Sequence, residues 1–314
     1  MIKNYLTVAI RNFLRNKTFS IINVLGLSIG ISASLVLYLL VNYHFNFDKF
    51  QKDGDRIYRV VSEFSSSGQV YRNSGVTAPM GPAAKKELTG LEAVVPFRLW
   101  NGEPKITVTA QKNNLPLIFK KQQHVVFADE GFMNLIGYEW LAGSPETSLK
   151  QPYQTVLSET AAKLYFSKLS TEQIIGQQLF FDDTISTTVT GIVRDIKQNT
   201  DFTFTTFISR VTLDNTSLKP TDWDQWDNTN FVSQLLVKLL PGTNKENIEK
   251  GLLALYEKYH TPDPNVDGSK NKYLLQPLSD IHFNPEYGNY GSPLAHIPTL
   301  YGLLGVALIL LLLG

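Results

Sequence analysis

No Lys, Arg, Asp or Glu occurs between Thr18 and Phe47, and the centre of that stretch, Ile21 to Val41, is almost wholly apolar. About 20 such residues carry a helix across ~30 Å of hydrocarbon, and a helix buried in a soluble core seldom runs so far without a charge. A cleaved signal peptide has an apolar region of roughly 7–15 residues with a small-residue cleavage site just after it. Here the run is longer, and Ser32-Ala33-Ser34 lies inside it. Residues 18–47 therefore read as a retained transmembrane helix.

The flanks set its direction. Lys3, Arg11, Arg15 and Lys17 precede it with no acid among them, whereas Asp48, Lys49, Lys52, Asp53, Asp55 and Arg56 after it are mixed. The positive-inside rule places the N-terminus in the cytoplasm and the middle of the chain outside it. Within residues 1–17, Ile2, Leu6, Ala9, Ile10, Phe13 and Leu14 recur at helical spacing, with Arg11 and Arg15 on another face. That pattern suits a cytoplasmic amphipathic segment at the inner headgroups, and equally a plain basic flank that only sets topology.

The far end repeats the signal. Glu286 is the last charged residue, and Ile297 to Gly314 is uncharged. At ~1.5 Å per residue that run reaches ~27 Å, barely a bilayer crossing. It reads as a truncated second transmembrane helix of a longer polytopic protein, the alternative being a hydrophobic tail anchor. Gly302, Gly305 and Ala307 would let a neighbouring helix approach closely.

Residues 48–296 have the character of an ordinary folded domain. The 314-residue chain carries a net charge of +1, which excludes a strongly basic nucleic-acid binder. It has no Cys, hence no disulfide framework, thiolate zinc site or Cys nucleophile. Strands are expected at 56–64, 105–110, 123–127, 154–157, 202–209, 231–239 and 273–278, and a hairpin 178–181/187–196 around Asp182-Asp183. Helices are expected within 77–91, at 129–137 capped by Asp129, at 158–166 capped by Ser158, and from a Thr243/Glu246 capping box to Tyr259. Ile248, Leu252, Leu255, Tyr256 and Tyr259 make one face of the last helix. Residues 214–230 and 261–272 read as loop and linker. The fold class is α+β: a mixed extracytoplasmic domain inserted between two transmembrane α-helices.

The motifs that announce chemistry are missing. There is no G-x-x-x-x-G-K-[ST], G-x-S-x-G or H-E-x-x-H. His44, His124, His260, His282 and His296 are scattered, so a metal site would need the fold to gather them. Asp222-Trp223-Asp224-Gln225-Trp226-Asp227 is the one dense polar-aromatic cluster. It could hold Ca²⁺ or stack a sugar, but it lacks the Gly and distal Glu of an EF-hand loop. A loop whose Trp residues pack back on the domain is the simpler reading. No catalytic, cofactor-binding or metal residue is assigned, no cofactor is expected, and the chain is not expected to be an enzyme.

Several stretches, in order, resemble FtsX/MacB-like ABC transporter permeases: the first transmembrane helix, the MacB-like periplasmic core domain and the start of the second helix. The opening VAIRNFLRNKTFSIINVLGLSIGISASLVLYLL is similar to that family's basic start and first span. So are ADEGFMNLIG with Leu141-Ala142-Gly143, VLSETAAKLYF with Ile175-Gly176, TGIVRDI at 190–196, and LQPLSDIH at 275–282. The resemblance implies four or more spans, a cytoplasmic ABC ATPase subunit, a second permease copy or paralogue in a dimer, and lipid contact. For some members it implies a periplasmic adaptor as well; no nucleic acid is involved. It implies a multi-pass protein of the bacterial inner (plasma) membrane. Its extracytoplasmic domain would move as ATP is hydrolysed, in efflux or mechanotransmission. The coupling loop that follows the second span lies beyond this chain. A membrane-tethered ligand-sensing domain of a signalling protein shares the topology and is the alternative.

Two features of the junctions bear on force transmission. Phe45-Asn46-Phe47-Asp48-Lys49-Phe50 has no Gly or Pro, and Phe47 and Phe50 would share a face if the helix continued outward. Pro285 to Pro298, with Gly288, Gly291 and Pro293, reads as a hinge or loop.

The topology has a direct test in this Cys-free chain. A Cys introduced at Ser66 is expected to react with an impermeant reagent on intact spheroplasts, and one at Thr7 to stay protected. The reverse pattern would overturn the orientation.

Overall fold

A computed structural model describes Tyr5, Arg11 and residues 15–66, 68–109, 116–214, 218–261 and 270–313. Most of the expected cytoplasmic segment, and residues 262–269 of the expected linker, lie outside the described residues. The chain divides into two units, residues 1–47 with 295–314, and residues 48–294.

In the first unit, helix α1 (Lys17–Phe45) is long and apolar enough to cross a membrane. The apolar helix α9 (Ile297–Leu313) is shorter. The Ser34 hydroxyl donates within α1 to the Gly30 carbonyl (2.8 Å) and across to the Ala307 carbonyl (2.9 Å). Small residues let the backbones come this close. Of the three small residues flagged at the far end, Ala307 alone lies at this contact; a Cβ on Gly302 or Gly305 would meet nothing.

Among the described residues, the second unit is built on one mixed sheet of 13 strands. In chain order they are β1 (Ile57–Ser66), β2 (Gln69–Asn73), β3 (Leu91–Leu99), β4 (Ile106–Val108), β5 (Leu117–Phe119), β6 (Val125–Ala128), β7 (Trp140–Ala142), β8 (Gln154–Ser158), β9 (Gln178–Phe181), β10 (Ile185–Val193), β11 (Thr206–Ser209), β12 (Ser233–Leu239) and β13 (Lys270–Pro277). Neighbours run β13-β1-β12-β3-β6-β11-β8-β10-β9-β4-β5, with β2 beside β1 and β7 beside β10. β6/β11 and β8/β10 are parallel, and the other pairs antiparallel.

The helices that cover the sheet are α2 (Met80–Glu87), α3 (Glu130–Ile136), α5 (Glu159–Tyr165) and α8 (Lys245–Tyr259), with short turns α4 (Pro145–Ser148), α6 (Thr171–Ile174) and α7 (Val211–Asp214) between them. Local signals set most of their ends. Asp129 accepts from the Phe132 amide (3.1 Å) at the start of α3, and Gly137 in left-handed conformation (φ +77°) stops it. Ser158 accepts from the Ala161 amide (3.3 Å) at the start of α5.

Two expectations are corrected and one strand is added. The helix expected within 77–91 is Met80–Glu87, and Leu91–Leu99, for which no strand was expected, pairs between β12 and β6. The cap of α8 is not Thr243. Asn244 accepts from the Glu246 amide (2.7 Å), while the Thr243 hydroxyl donates to the Gly90 carbonyl (3.1 Å). Residues 202–205 are not strand but extended chain that drops Phe202 and Phe204 into the core.

Three apolar clusters fill the unit. The first is aromatic: Phe97, Phe132, Phe202, Phe204, Phe207 and Tyr290. Its rings meet at 4.9 Å (Phe97–Phe132) and 5.3 Å (Phe202–Tyr290). The second lies under α5, and the third between α2, α8 and β1/β12/β13.

The bend at 143–148 yields a stability prediction. Gly143 has φ +79°, and a Cβ there would lie 2.5 Å from the Thr190 carbonyl oxygen; Gly176 has φ +86° with open space around it. Gly176→Ala should cost about 1–2 kcal/mol for left-handed backbone alone. Gly143→Ala should cost clearly more, because backbone must also move. Denaturant unfolding of the solubilised chain compares them, and equal losses would contradict this account of the bend.

Candidate functional site

A buried polar network in the second unit begins at its first residue. Asp48 stands three residues past the end of α1 in a left-handed conformation (φ +54°). Its amide donates to the Asn199 carbonyl (2.9 Å), and its carboxylate accepts from the Thr200 hydroxyl and the Asp201 amide (3.3 Å). The Asp201 carboxylate, fully buried, accepts from Asn289 Nδ2 (2.8 Å) and pairs with His282 Nδ1 (3.2 Å). The loop 199–201 thus holds both Asp48 and the segment that precedes the second apolar helix.

Arg59 of β1 clamps that segment from the other side. It is fully buried. Its Nε and Nη2 donate to Gln276 Oε1 (2.9 and 2.7 Å), and Nη2 also donates to the Gly288 carbonyl (2.6 Å). Its guanidinium lies 5.4 Å from the centre of the Tyr290 ring, and the Tyr290 hydroxyl donates to Gln234 Oε1 (3.2 Å). Gln276 Nε2 donates to Asp280 Oδ2 (2.8 Å), which also accepts from Asn284 Nδ2 (2.9 Å). Leu278 and Ile281 enter the aromatic cluster beside Tyr290. The LQPLSDIH segment is therefore a fastening, with its Leu and Ile in the core and its Gln, Asp and His in the network.

Burial shapes the electrostatics. The Asp48 carboxyl is pushed up from 3.8 to about 6, chiefly by desolvation and further by the neighbouring Asp201, with the Thr200 hydrogen bond opposing. Burial likewise pushes the Tyr290 phenol up to about 12. An uncompensated buried charge is expensive, so such a network is stable only where its members satisfy one another.

The expectations about the junctions change on this geometry. α1 ends at Phe45, with Asn46 folding back to the Asn42 carbonyl (2.7 Å), and residues 46–50 form turns. Phe47 and Phe50 do not share a helical face. The Phe47 ring instead meets Tyr43 edge-on (5.4 Å). Residues 285–290 are not a free hinge, since Arg59, Asp201 and Gln234 hold Gly288, Asn289 and Tyr290.

The other flagged residues take packing roles. Trp223 lies between two guanidiniums, Arg210 at 4.7 Å and Arg98 at 5.7 Å, and its Nε1 donates to Asp214 (2.7 Å). Asp222 pairs with Arg98 (3.3 Å) and accepts from Asn230 (2.6 Å). Trp226 stacks on Tyr259 (5.1 Å). Each indole is thereby engaged inside the domain. Asp182 and Asp183, at φ +47° and +58°, make the β9–β10 turn. His124 bonds the Thr203 hydroxyl (3.0 Å), His260 stacks on Tyr256 (4.6 Å), and His296 bonds Thr299 (2.9 Å). His44 stacks near Phe47 in the first unit. No three His, Asp or Glu among the described residues gather as a metal site.

Sequence reasoning placed His282 in a motif but gave it no partner. Asp201, Arg59 and Asn289 carried no signal, since their partners lie 81, 217 and 88 positions away.

The comparisons with known proteins agree with this architecture. A family model for the MacB-like periplasmic core domain matches residues 20–255, and the chain belongs to that family. That membership supports an ABC-type permease, with the mixed domain extracytoplasmic after a transmembrane helix. The fold is similar to a solved domain of a protein described as a permease from Porphyromonas gingivalis: TM-score 0.54, 20% identity, covering 72% of this chain and 92% of that one. The periplasmic region of MacB from Actinobacillus actinomycetemcomitans aligns at TM-score 0.43 and 16% identity, covering 68% and 87%. No curated protein matches the sequence.

The clamp has a local readout. Arg59→Met leaves Gln276 and the Gly288 carbonyl without a donor, at roughly 1–3 kcal/mol for each unsatisfied buried group. Amide exchange in residues 286–291 should accelerate more than in α8. Uniform acceleration would mean that Arg59 supports the whole domain rather than this segment.

Proposed function

We propose that the chain is part of a permease subunit of an ABC-type efflux or mechanotransmission system. A partner ATPase in the cytoplasm hydrolyses ATP, and the extracytoplasmic domain moves in response. The protein sits in the bacterial inner membrane as a multi-pass subunit, paired with a second permease copy or paralogue and itself non-catalytic. The domain lies in the periplasm.

The observation that carries this reading is the shared root of both junctions. Asp48 follows α1 in sequence, His282 and Asn289 precede the second apolar helix, and all three bond to residues of one loop. A domain rooted in this way takes up displacement of either helix as one body. A sensor that only binds ligand has no need to fasten both junctions to the same loop. The family membership supports the same reading.

A flexible Gly-Ser insert after Asn46 leaves the polar network intact and loosens only the connection to α1. In the full-length permease with its ATPase, transport should fall at least ~10-fold with ATP hydrolysis and domain folding retained. Undiminished transport would reject rigid transmission through this junction.

A further inference from the structure

A small cavity opens where the end of β3 pairs with the start of β12, and both guanidiniums that flank Trp223 border it. Arg98 of β3 and Arg210, the residue after β11, line it with Thr77, Ser233, Gln234 and Trp223, and apolar groups close the rest. None of the lining residues is exposed. About 10 Å³ is open to the centre of a water-sized sphere, which is room for one small occupant.

The two cations beside the cavity are loosely paired. A charge-assisted N–H···O bond is ordinarily about 2.7–2.9 Å long. Arg98 meets Asp222 at 3.3 Å, and Arg210 meets Asp214 only at 3.7 Å. The Arg210 side chain is 12% exposed and makes no hydrogen bond among the described residues, its other contact being the Trp223 ring at 4.7 Å. Burial, with Arg98 adding to it, holds the Arg210 guanidinium below its usual value against the pull of Asp214 and Asp129.

A separate observation points into the same space. Thr77 is fully buried, and its hydroxyl has no hydrogen-bond partner among the described residues. A buried polar group left unpaired is costly, so an occupant that serves Thr77 and Arg210 together is favoured. The side-chain acceptors beside them are already engaged. Ser233 Oγ accepts from Arg98 Nη1 (2.6 Å), and Gln234 Oε1 accepts from the Tyr290 hydroxyl (3.2 Å). The occupant is asked to accept from N–H and O–H donors and to donate to none. A water has two hydrogens to place as well, and a monatomic anion has none.

We propose that this cavity is a halide site filled by chloride, which accepts from the Arg210 and Arg98 guanidiniums and the Thr77 hydroxyl. The ion stands between two cations that otherwise repel each other. It ties the loop carrying Trp223 to β3, to β12 and to the chain that leads into α2. Polyatomic anions are too large for the space.

This inference does not rest on the permease reading, and its test needs neither ATPase nor transport. All four Trp lie within residues 48–294, so their fluorescence follows urea unfolding of that unit in the whole chain, held in lipid nanodiscs. Sodium chloride replaces sodium methanesulfonate at constant ionic strength. In the wild type the unfolding constant should fall along a one-site binding curve, by about 11-fold once chloride reaches ten times its dissociation constant. Arg210→Met should abolish this dependence. Thr77→Val keeps the side-chain shape and should bind chloride roughly 5-fold more weakly, and it decides the matter if Arg210→Met does not fold. Wild-type unfolding that ignores chloride would overturn the proposal and leave the cavity to a water. Chloride dependence kept in full by the folded variant would overturn it too, by placing the ion elsewhere.

Discussion

The Asp201 carboxylate, buried at the head of a short extended segment that leads into β11, is the point on which the rest of the domain's membrane-facing connections depend. It accepts from His282 and Asn289, and its own backbone amide reaches Asp48. Desolvating a carboxylate is costly, and the cost is met only by charge-assisted hydrogen bonds of good geometry. The donors come from stretches far apart in sequence, so the bonds exist only in the completed fold. In that sense the network reports that the domain is closed, and it holds the residue that follows α1 and the segment that precedes the second apolar helix to one loop.

The aromatic cluster explains why that loop can hold its shape. Phe202 and Phe204 flank Thr203 and drop into the same core as Tyr290, Phe97 and Phe132. Phe or Trp removal from such a core costs about 3–5 kcal/mol. The polar residues of the loop and of the 288–290 turn are thus flanked by side chains anchored in that core. Arg59 adds a cation on the face of Tyr290 and a donor to Gly288, joining polar and apolar parts of the arrangement. Tight packing gives such a unit discrete arrangements rather than a continuum.

The tryptophan-rich loop shows how a sequence cluster loses its apparent chemistry on folding. Asp222, Trp223 and Trp226 each find partners within the domain: Arg98 and Asn230, two guanidiniums, and Tyr259. Asp222 is held by an ion pair and an amide, and each indole packs against groups of the domain. The loop fastens β12 and α8 to β3 instead.

What the sequence determined by itself follows from short-range physics. A charge-free run is membrane-length whatever the fold, Asp129 and Ser158 cap helices through bonds three residues long, and Asp182-Asp183 accept left-handed backbone in a turn. Alternation and branched side chains marked β1, β8, β10 and β12, and the ordered resemblance pointed to the family that the match confirms. β3 escaped because Pro96 sits in it and a helix pattern runs up to it, and only its two partner strands make it a strand. The cap of α8 was misplaced by one residue because Gly90, 153 positions away, claims the Thr243 hydroxyl. The end of α1 and the fastening of residues 282–290 were likewise decided at long range. Tertiary structure alone could bring Asp48, Arg59, Asp201 and His282 together, because burial turns pairs that are negligible in water into bonds that cannot be left unmade.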